Sequence, residues 1–474
     1  MLFPTAEYAF FFLCVFAIAW ALNTRARAHK TFLLVASYAF YGFWDWRFVP
    51  LLAFVSLAAV AFGRALQVVE RPDLRKALLA TGVTLSLSVL ACFKYLAFAM
   101  AGALHVLEVF DVALDVHPVE LALPVGISFF VFHAISLMVD AYRGALASRI
   151  GEVDGLLYVA FFPQLVAGPI LQANQFLPQL AAPPSPERID ASRAMALIAS
   201  GLVKKLLIAN TLSTHLVDPV FASPGEHSGG EVWLAVYGYA AQIYCDFSGY
   251  TDLALGSALL LGYRLPENFN APYLAQSPQE FWRRWHMSLS SWLRNYLYIP
   301  LGGSQRGPAR TVLALWVTMV LGGLWHGAAM TFVAWGALHG AGLIVHRAWA
   351  SSTWAWVARV RRSKAWGLIA WALTFQFVCA AWVLFRAPTL EVAGELYTAM
   401  AHGFEWGSAI TALTVLATLA GLGLQALDSD PSVRLRAAFA RLPLTVQGAL
   451  FALALLVIDA LGPEGVAPFI YFQF

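Results

Sequence analysis

The chain has 474 residues, of which 60% are hydrophobic and 12% charged, about half the charge carried by soluble domains. A soluble fold of this make-up would expose large apolar patches, and a membrane β-barrel would show short alternating strands in place of long apolar runs; the composition selects an all-α polytopic integral membrane protein. The formal net charge of +3 is spread over loops without a basic stripe, which leaves no nucleic-acid partner.

In chain order, the first apolar stretch, "FPTAEYAFFFLCVFAIAWAL", starts without a basic leader region, so it reads as a retained membrane segment and not a cleaved signal. The loop "NTRARAHK" that follows carries Arg25, Arg27 and Lys30 and no acid, which places it in the cytoplasm and the N-terminus outside. Further apolar segments lie at 31–47, 48–66, 77–100, 120–139, 155–172, 193–215, 231–262, 311–331, 332–346, 366–386, 408–426 and 445–462. The total is roughly eleven to thirteen membrane segments at about 20 residues per pass. Segment 155–172 contains "FPQLVAGPI", whose Pro and Gly suit a re-entrant stretch lined by protein or a cavity. The basic connection from Arg347 to Lys364 is also placed in the cytoplasm. "AAPPSPERID" and "SPGEHSGG" are loops. No stretch is left over for a soluble domain, so residues 1–474 read as one integral membrane domain. Cys14, Cys92, Cys245 and Cys379 lie far apart in apolar segments and read as small buried hydrophobes.

Residues 277–300, "SPQEFWRRWHMSLSSWLRNYLYIP", read as a helix at the membrane–water boundary. Ser277 is placed to cap it, Pro278 suits its first position and Glu280 completes an S-x-x-E capping box. On one continuous helix, Arg283, Ser290 and Arg294 would share a face, while Trp282, His286, Leu289 and Leu293 would share another. The helix is either an interfacial anchor or the floor of a cavity with His286 pointing in.

From Thr311 to Val345 the chain has no Asp, Glu, Lys or Arg, yet it holds His326 and His339. Ionisable groups at that depth are costly and face a cavity, a partner or a substrate. The glycines around His326 in "LGGLWHGAAM" let a backbone or an elongated ligand approach closely. A buried neutral imidazole can take the proton of a hydroxyl nucleophile; the alternative is a structural histidine bonded across a helix pair. In "YCDFSGYTDLALG", Asp246 and Asp252 are spaced neither i+3 nor i+4, which argues against a paired-carboxylate site. They are expected to orient an imidazole or to pair with an arginine such as Arg283 or Arg284. Phosphate-loop, G-x-S-x-G and H-E-x-x-H patterns are all missing, so nucleotide hydrolysis, an acyl-serine hydrolase and a metal site have no support in the sequence.

"FWRRWHMSLSSWLRNYLYIPLGG" followed by "LGGLWHGAAMTFVAWGALHG" resembles the signature region of the membrane-bound O-acyltransferases (MBOAT). Specifically it looks like the bacterial branch that holds the alginate O-acetylation, peptidoglycan O-acetylation and teichoic-acid D-alanylation membrane proteins. "ASYAFYGFWDWRF", "LPVGISFFVFHAISLMVDAYRG", "FPQLVAGPIL", "GLVKKLLIAN", "YCDFSGYTDLALG" and "PENFNAPYLAQS" agree with that branch in order along most of the chain.

The resemblance implies helices around a membrane-crossing funnel, with the family's hallmark histidine at His326 and a second at His286. It implies acetyl transfer from cytoplasmic acetyl-CoA, a donor substrate and not a bound cofactor. The acceptor would be an exported polysaccharide such as alginate, or a periplasmic acetyltransferase partner that acetylates it. The setting would be the bilayer of the bacterial inner membrane. Arg283, Arg284 and Arg294 become candidate contacts to acetyl-CoA, and Trp325, His339, Asp246 and Asp252 supporting residues. Peptidoglycan and teichoic acid are the alternative acceptors. A glycan or ion transporter using the carboxylates and histidines as relay groups is the competing class, although such proteins usually carry internal repeats that this sequence lacks.

Overall fold

Long apolar runs without competing polar side chains satisfy their own backbone as helices, and every regular element among the described residues is helical. The structure, a computed structural model, describes residues 3–112, 116–119, 121–166, 168–402, 405–427, 437–461 and 469–470. The start of the apolar stretch 120–139 and the end of 445–462 lie outside the described residues. The chain divides into two compact units, Met1–Ile189 with Ser257–Pro266, and Asp190–Gly256 with Glu267–Phe474.

The first unit contains α1 (Ala6–Ala21), α2 (Ala26–Asp45), α3 (Val49–Val68), α4 (Pro72–Leu90), α5 (Leu96–Val109), α6 (Ile127–Arg143) and α7 (Glu152–Ala160). Arg27 and Lys30 stand in the first turns of α2 instead of a loop, and Lys30 pairs with Asp154 at 2.6 Å. The helical run Ala26–Val68 has 43 residues, roughly 65 Å at 1.5 Å per residue and about twice the hydrocarbon core. Asp45 divides it. Its backbone is extended (φ −159°, ψ 109°) and its carboxylate accepts the Arg47 N–H at 3.0 Å, so the run is two helices with a corner. α6 is buried on nearly all sides and is the centre of this unit. Segment 155–172 is broken into α7 and the short helix Phe162–Leu165, neither long enough to span. Protein groups satisfy the freed backbone: Tyr158 Oη–H donates to Leu171 O at 2.7 Å, and Gln164 Nε2–H donates to Tyr158 O at 2.6 Å.

The second unit contains α8 (Ala191–Leu202), α9 (Gly229–Leu260, whose last turn from Ser257 is assigned to the first unit), α10 (Pro278–Arg284), α11 (Met287–Leu293), α12 (Pro308–His326), α13 (Met330–Ser351), α14 (Trp366–Arg386), α15 (Ala412–Leu427) and α16 (Leu444–Leu461). α12 and α13 form a close hairpin because glycines meet at their crossing. A Cβ on Gly323 would lie 2.2 Å from Phe332 O, and one on Gly336 would lie 2.4 Å from Met319 O.

Five helical stretches among the described residues are long and apolar enough to cross a membrane: Ala26–Val68, Pro72–Val109, Ala191–Ala222, Pro308–His326 and Trp366–Arg386. Three shorter apolar helices, Ala6–Ala21, Ala412–Gln425 and Thr445–Ile458, accompany them. Phe10, Leu13, Val35, Phe43 and Leu57 are exposed apolar side chains on such helices, as a lipid-facing surface requires. The cysteines correct one expectation. Cys245 and Cys379 are buried, but Cys14 and Cys92 face outward, where lipid is as acceptable to a thiol as a protein core.

Candidate active site

His326 is the last residue of α12. Gly327 is extended (φ −160°, ψ 152°) and ends the helix there, so the ring stands where α12 turns into α13. It is 4% exposed and is walled by aromatic rings: Trp325 at 4.9 Å, Phe385 of α14 at 5.1 Å and Trp335 of α13 at 5.2 Å between centroids. The ring of His286 lies 6.5 Å away, and Trp325 is also within 5.9 Å of His286. The structure therefore brings His326, His286 and Trp325 together.

The stretch around His286 differs from the continuous helix expected. Ser277 Oγ accepts the Glu280 N–H at 3.1 Å, which starts α10 as the capping pattern requires. The Glu280 carboxylate, however, takes the N–H of Gln276 at 2.8 Å and the Arg284 guanidinium at 2.7 Å. The helix then breaks, because His286 adopts a left-handed conformation (φ 41°, ψ 54°). The "ENFNAP" loop supplies the partners that the break leaves over. Asn270 N–H donates to Arg284 O at 3.0 Å, and Met287 N–H donates to Asn268 O at 3.0 Å. Ser288 Oγ–H donates to Asn268 Oδ1 at 2.6 Å. The break turns His286 inward against Phe247, edge-on at 4.6 Å. Neither seven-residue helix spans. Burial holds the His286 imidazole far below its ordinary value, at about 3, so it is a neutral hydrogen-bonding group.

The same unit holds a cavity of about 790 Å³ lined by Arg283, Arg294, His346 and Arg347 together with Trp282, Ser290 and Tyr298; Met287, next to His286 in the chain, is also in its lining. Trp282 and Arg283, consecutive residues of α10, both line it. Arg284 is not in that lining; it pairs with Glu280. His339 is buried on α13 and accepts the indole N–H of Trp282 at Nδ1, at 3.3 Å.

The aspartates also differ from expectation. Their cationic partners are lysines of "GLVKKLLIAN": Lys205 to Asp246 at 2.6 Å and Lys204 to Asp252 at 3.1 Å. Arg284 pairs with Glu280, and Arg283 lines the cavity. Gly201 and Gly249 make this pairing close, since a Cβ on Gly201 would lie 2.6 Å from Gly249 O. Ser200 Oγ–H adds a hydrogen bond to Asp252 at 3.1 Å, and Ile470 N–H one to Asp246 at 2.8 Å. Two adjacent lysines in an apolar run need two anions nearby, so this signal was present in the sequence. Trp335, Phe385 and Asn268 carried no comparable signal.

An all-helical membrane protein with an inward-facing histidine pair and a cation-lined cavity is the class that fold and site define. The family model for MBOAT, membrane-bound O-acyltransferase family, matches residues 141–386. The chain is 39% identical to the probable alginate O-acetylase AlgI of Pseudomonas putida, over 86% of this chain and 81% of that protein. It is 34% identical to a peptidoglycan O-acetyltransferase of Helicobacter pylori, over 84% and 80%. A teichoic acid D-alanyltransferase of Bacillus subtilis is 28% identical, over 55% and 68%. The chain belongs to the membrane-bound O-acyltransferase family.

Proposed function

We propose that the chain is a membrane O-acetyltransferase of the bacterial inner membrane, one integral multi-pass domain over residues 1–474. It moves acetyl from cytoplasmic acetyl-CoA to an exported polysaccharide of alginate type, or to a periplasmic acetyltransferase that completes the transfer. The observation that carries this reading is the buried pair His326–His286, 6.5 Å apart, in the unit that also holds a cavity lined by Arg283, Arg294 and Arg347. Guanidinium groups suit the phosphates of CoA, and the neighbouring histidines suit proton transfer at its thioester.

In this mechanism His326 is the general base. It takes the proton of the acceptor hydroxyl as that oxygen adds to the thioester carbonyl carbon. The carbonyl π pair moves onto oxygen and returns as the C–S bond breaks. Sulfur leaves with the bonding pair and receives the proton from His326, so the products are the O-acetyl ester and the free thiol. General-base help is worth about 10²–10⁴-fold. His286 stands within reach of the same centre as a neutral donor or acceptor. The AlgI resemblance at 39% identity supports the alginate-type acceptor over the peptidoglycan and teichoic-acid alternatives. Asp246 and Asp252 are already neutralised by lysines, which gives a transporter reading no observation of its own.

The test is transfer of labelled acetyl from acetyl-CoA by detergent-purified protein with its native acceptor or partner, wild type against His326→Ala. A fall of about 10²-fold or more in a variant that folds and inserts supports the reading. Wild-type rates in His326→Ala would return that residue to a structural role. Absence of transfer by the wild type, with acceptor and partner verified, would remove the acyltransferase reading.

A further inference from the structure

α13 carries two buried N–H donors that the packing does not use. An indole N–H only donates. Because Trp282 Nε1–H is directed at His339 Nδ1, Nδ1 holds the lone pair, and in the neutral ring Nε2 carries the hydrogen. His339 is fully buried and Trp335 is 1% exposed. Neither His339 Nε2–H nor Trp335 Nε1–H meets an acceptor among the described residues. Donors of this kind are costly in an apolar interior, and Phe at 335 with Leu at 339 would fill the space without that cost. The two residues are one helical turn apart, with rings 4.8 Å apart. Trp335 lies edge-on to His326 at 5.2 Å, and Trp282, which fixes His339, lines the cavity.

We propose that Trp335 and His339 form a two-donor receptor for the carbonyl oxygen of the acyl group, a role that rests on the acyl-transfer reading above. The oxygen that gains the π pair when the acceptor adds to the thioester is the acceptor these N–H groups lack. They hold it while the charge is there and release it when the C–S bond breaks. No atom of either side chain is transferred, and the proton still travels from the acceptor hydroxyl to His326 and on to sulfur. Fixed donors aimed at such an oxygen act strongly where water is excluded.

Three variants test this in purified full-length protein. Trp335→Phe keeps a ring and removes the N–H. His339→Leu removes the second donor, and His339→Gln keeps an N–H near the Nε2 position. Two readouts are used: steady-state transfer from acetyl-CoA, and the infrared carbonyl band of ¹³C-acetyl-CoA bound without acceptor. Trp335→Phe and His339→Leu are each expected to lose about 10²–10³-fold in kcat, with KM for acetyl-CoA unchanged, and Trp335→Phe keeps a melting temperature equal to or above wild type. The carbonyl band moves up towards its free position in both, and His339→Gln recovers part of both effects. Unchanged turnover and an unchanged band in Trp335→Phe and His339→Leu, with His326→Ala inactive, overturn the proposal and leave the acyltransferase reading standing. If Trp335→Phe does not fold, His339→Leu against His339→Gln decides, and equal turnover in those two overturns it. Absence of transfer by the wild type removes the parent reading and this inference with it.

Discussion

Lys205 and Asp246 show at the residue scale how a membrane protein accommodates charge. Both side chains are buried, 2.6 Å apart, and the carboxylate also takes the Ile470 N–H. Removing one partner leaves the other charge uncompensated, so Lys205→Met is expected to cost about 3–5 kcal/mol. Lys205→Met with Asp246→Asn is expected to recover most of that loss, read as thermal unfolding in detergent. Equal losses in the single and the double variant would show that the pair is not coupled. His326 was legible as a candidate because a histidine in a 35-residue run without charge has few cheap explanations. Trp335 was not, being one of 17 tryptophans in the chain. What singles it out is a buried indole N–H that meets no acceptor among the described residues, on a ring edge-on to His326, and that depends on its neighbours.

At the element scale the decisive features are the α12–α13 crossing and the break at His286. The crossing depends on bare glycine backbone. Gly336→Ala would put a methyl group 2.4 Å from Met319 O, which forces the helices apart at about 1–3 kcal/mol. Since α13 carries Trp335 and His339, acetyl transfer is expected to fall about tenfold or more in Gly336→Ala. Gly394→Ala, with nothing within 4 Å, is the control, expected to be neutral or stabilising by up to about 1 kcal/mol. Melting temperature and transfer rate measured on both variants check this. A Gly336→Ala protein with wild-type behaviour would mean that the hairpin has slack. The break at His286 was invisible to helical periodicity, because Asn268 and Asn270 stabilise it from a loop about eighteen residues earlier in the chain.

For the whole molecule, composition decides the environment and the arrangement of charge decides the ligand. An exterior of exposed Phe, Leu and Val side chains suits lipid, and three guanidinium groups of the second unit, those of Arg283, Arg294 and Arg347, line one cavity. Each hydrogen bond to a charged group is worth about 1.5–3 kcal/mol. Arg283→Ala with Arg294→Ala is therefore expected to raise KM for acetyl-CoA on the order of tenfold or more, with a smaller change in kcat. The difference from wild type should shrink as salt rises, because exposed charges are screened within about 10 Å at 0.1 M ionic strength. A KM that does not move would assign the cavity to something other than the donor.

The sequence by itself determined the solvent, the helical class, the family resemblance and the candidacy of His326, since each depends on composition, periodicity or a contiguous string of residues. Only the tertiary structure decided the partners. It assigned Asp246 and Asp252 to lysines instead of arginines, separated Arg284 from the cavity that Arg283 and Arg294 line, and turned His286 towards His326 by breaking a helix that local propensity would have continued. The physical reason is the same in each case. A buried charge or an unpaired backbone group takes the nearest partner that the packing offers, and proximity across the fold is not written in local spacing.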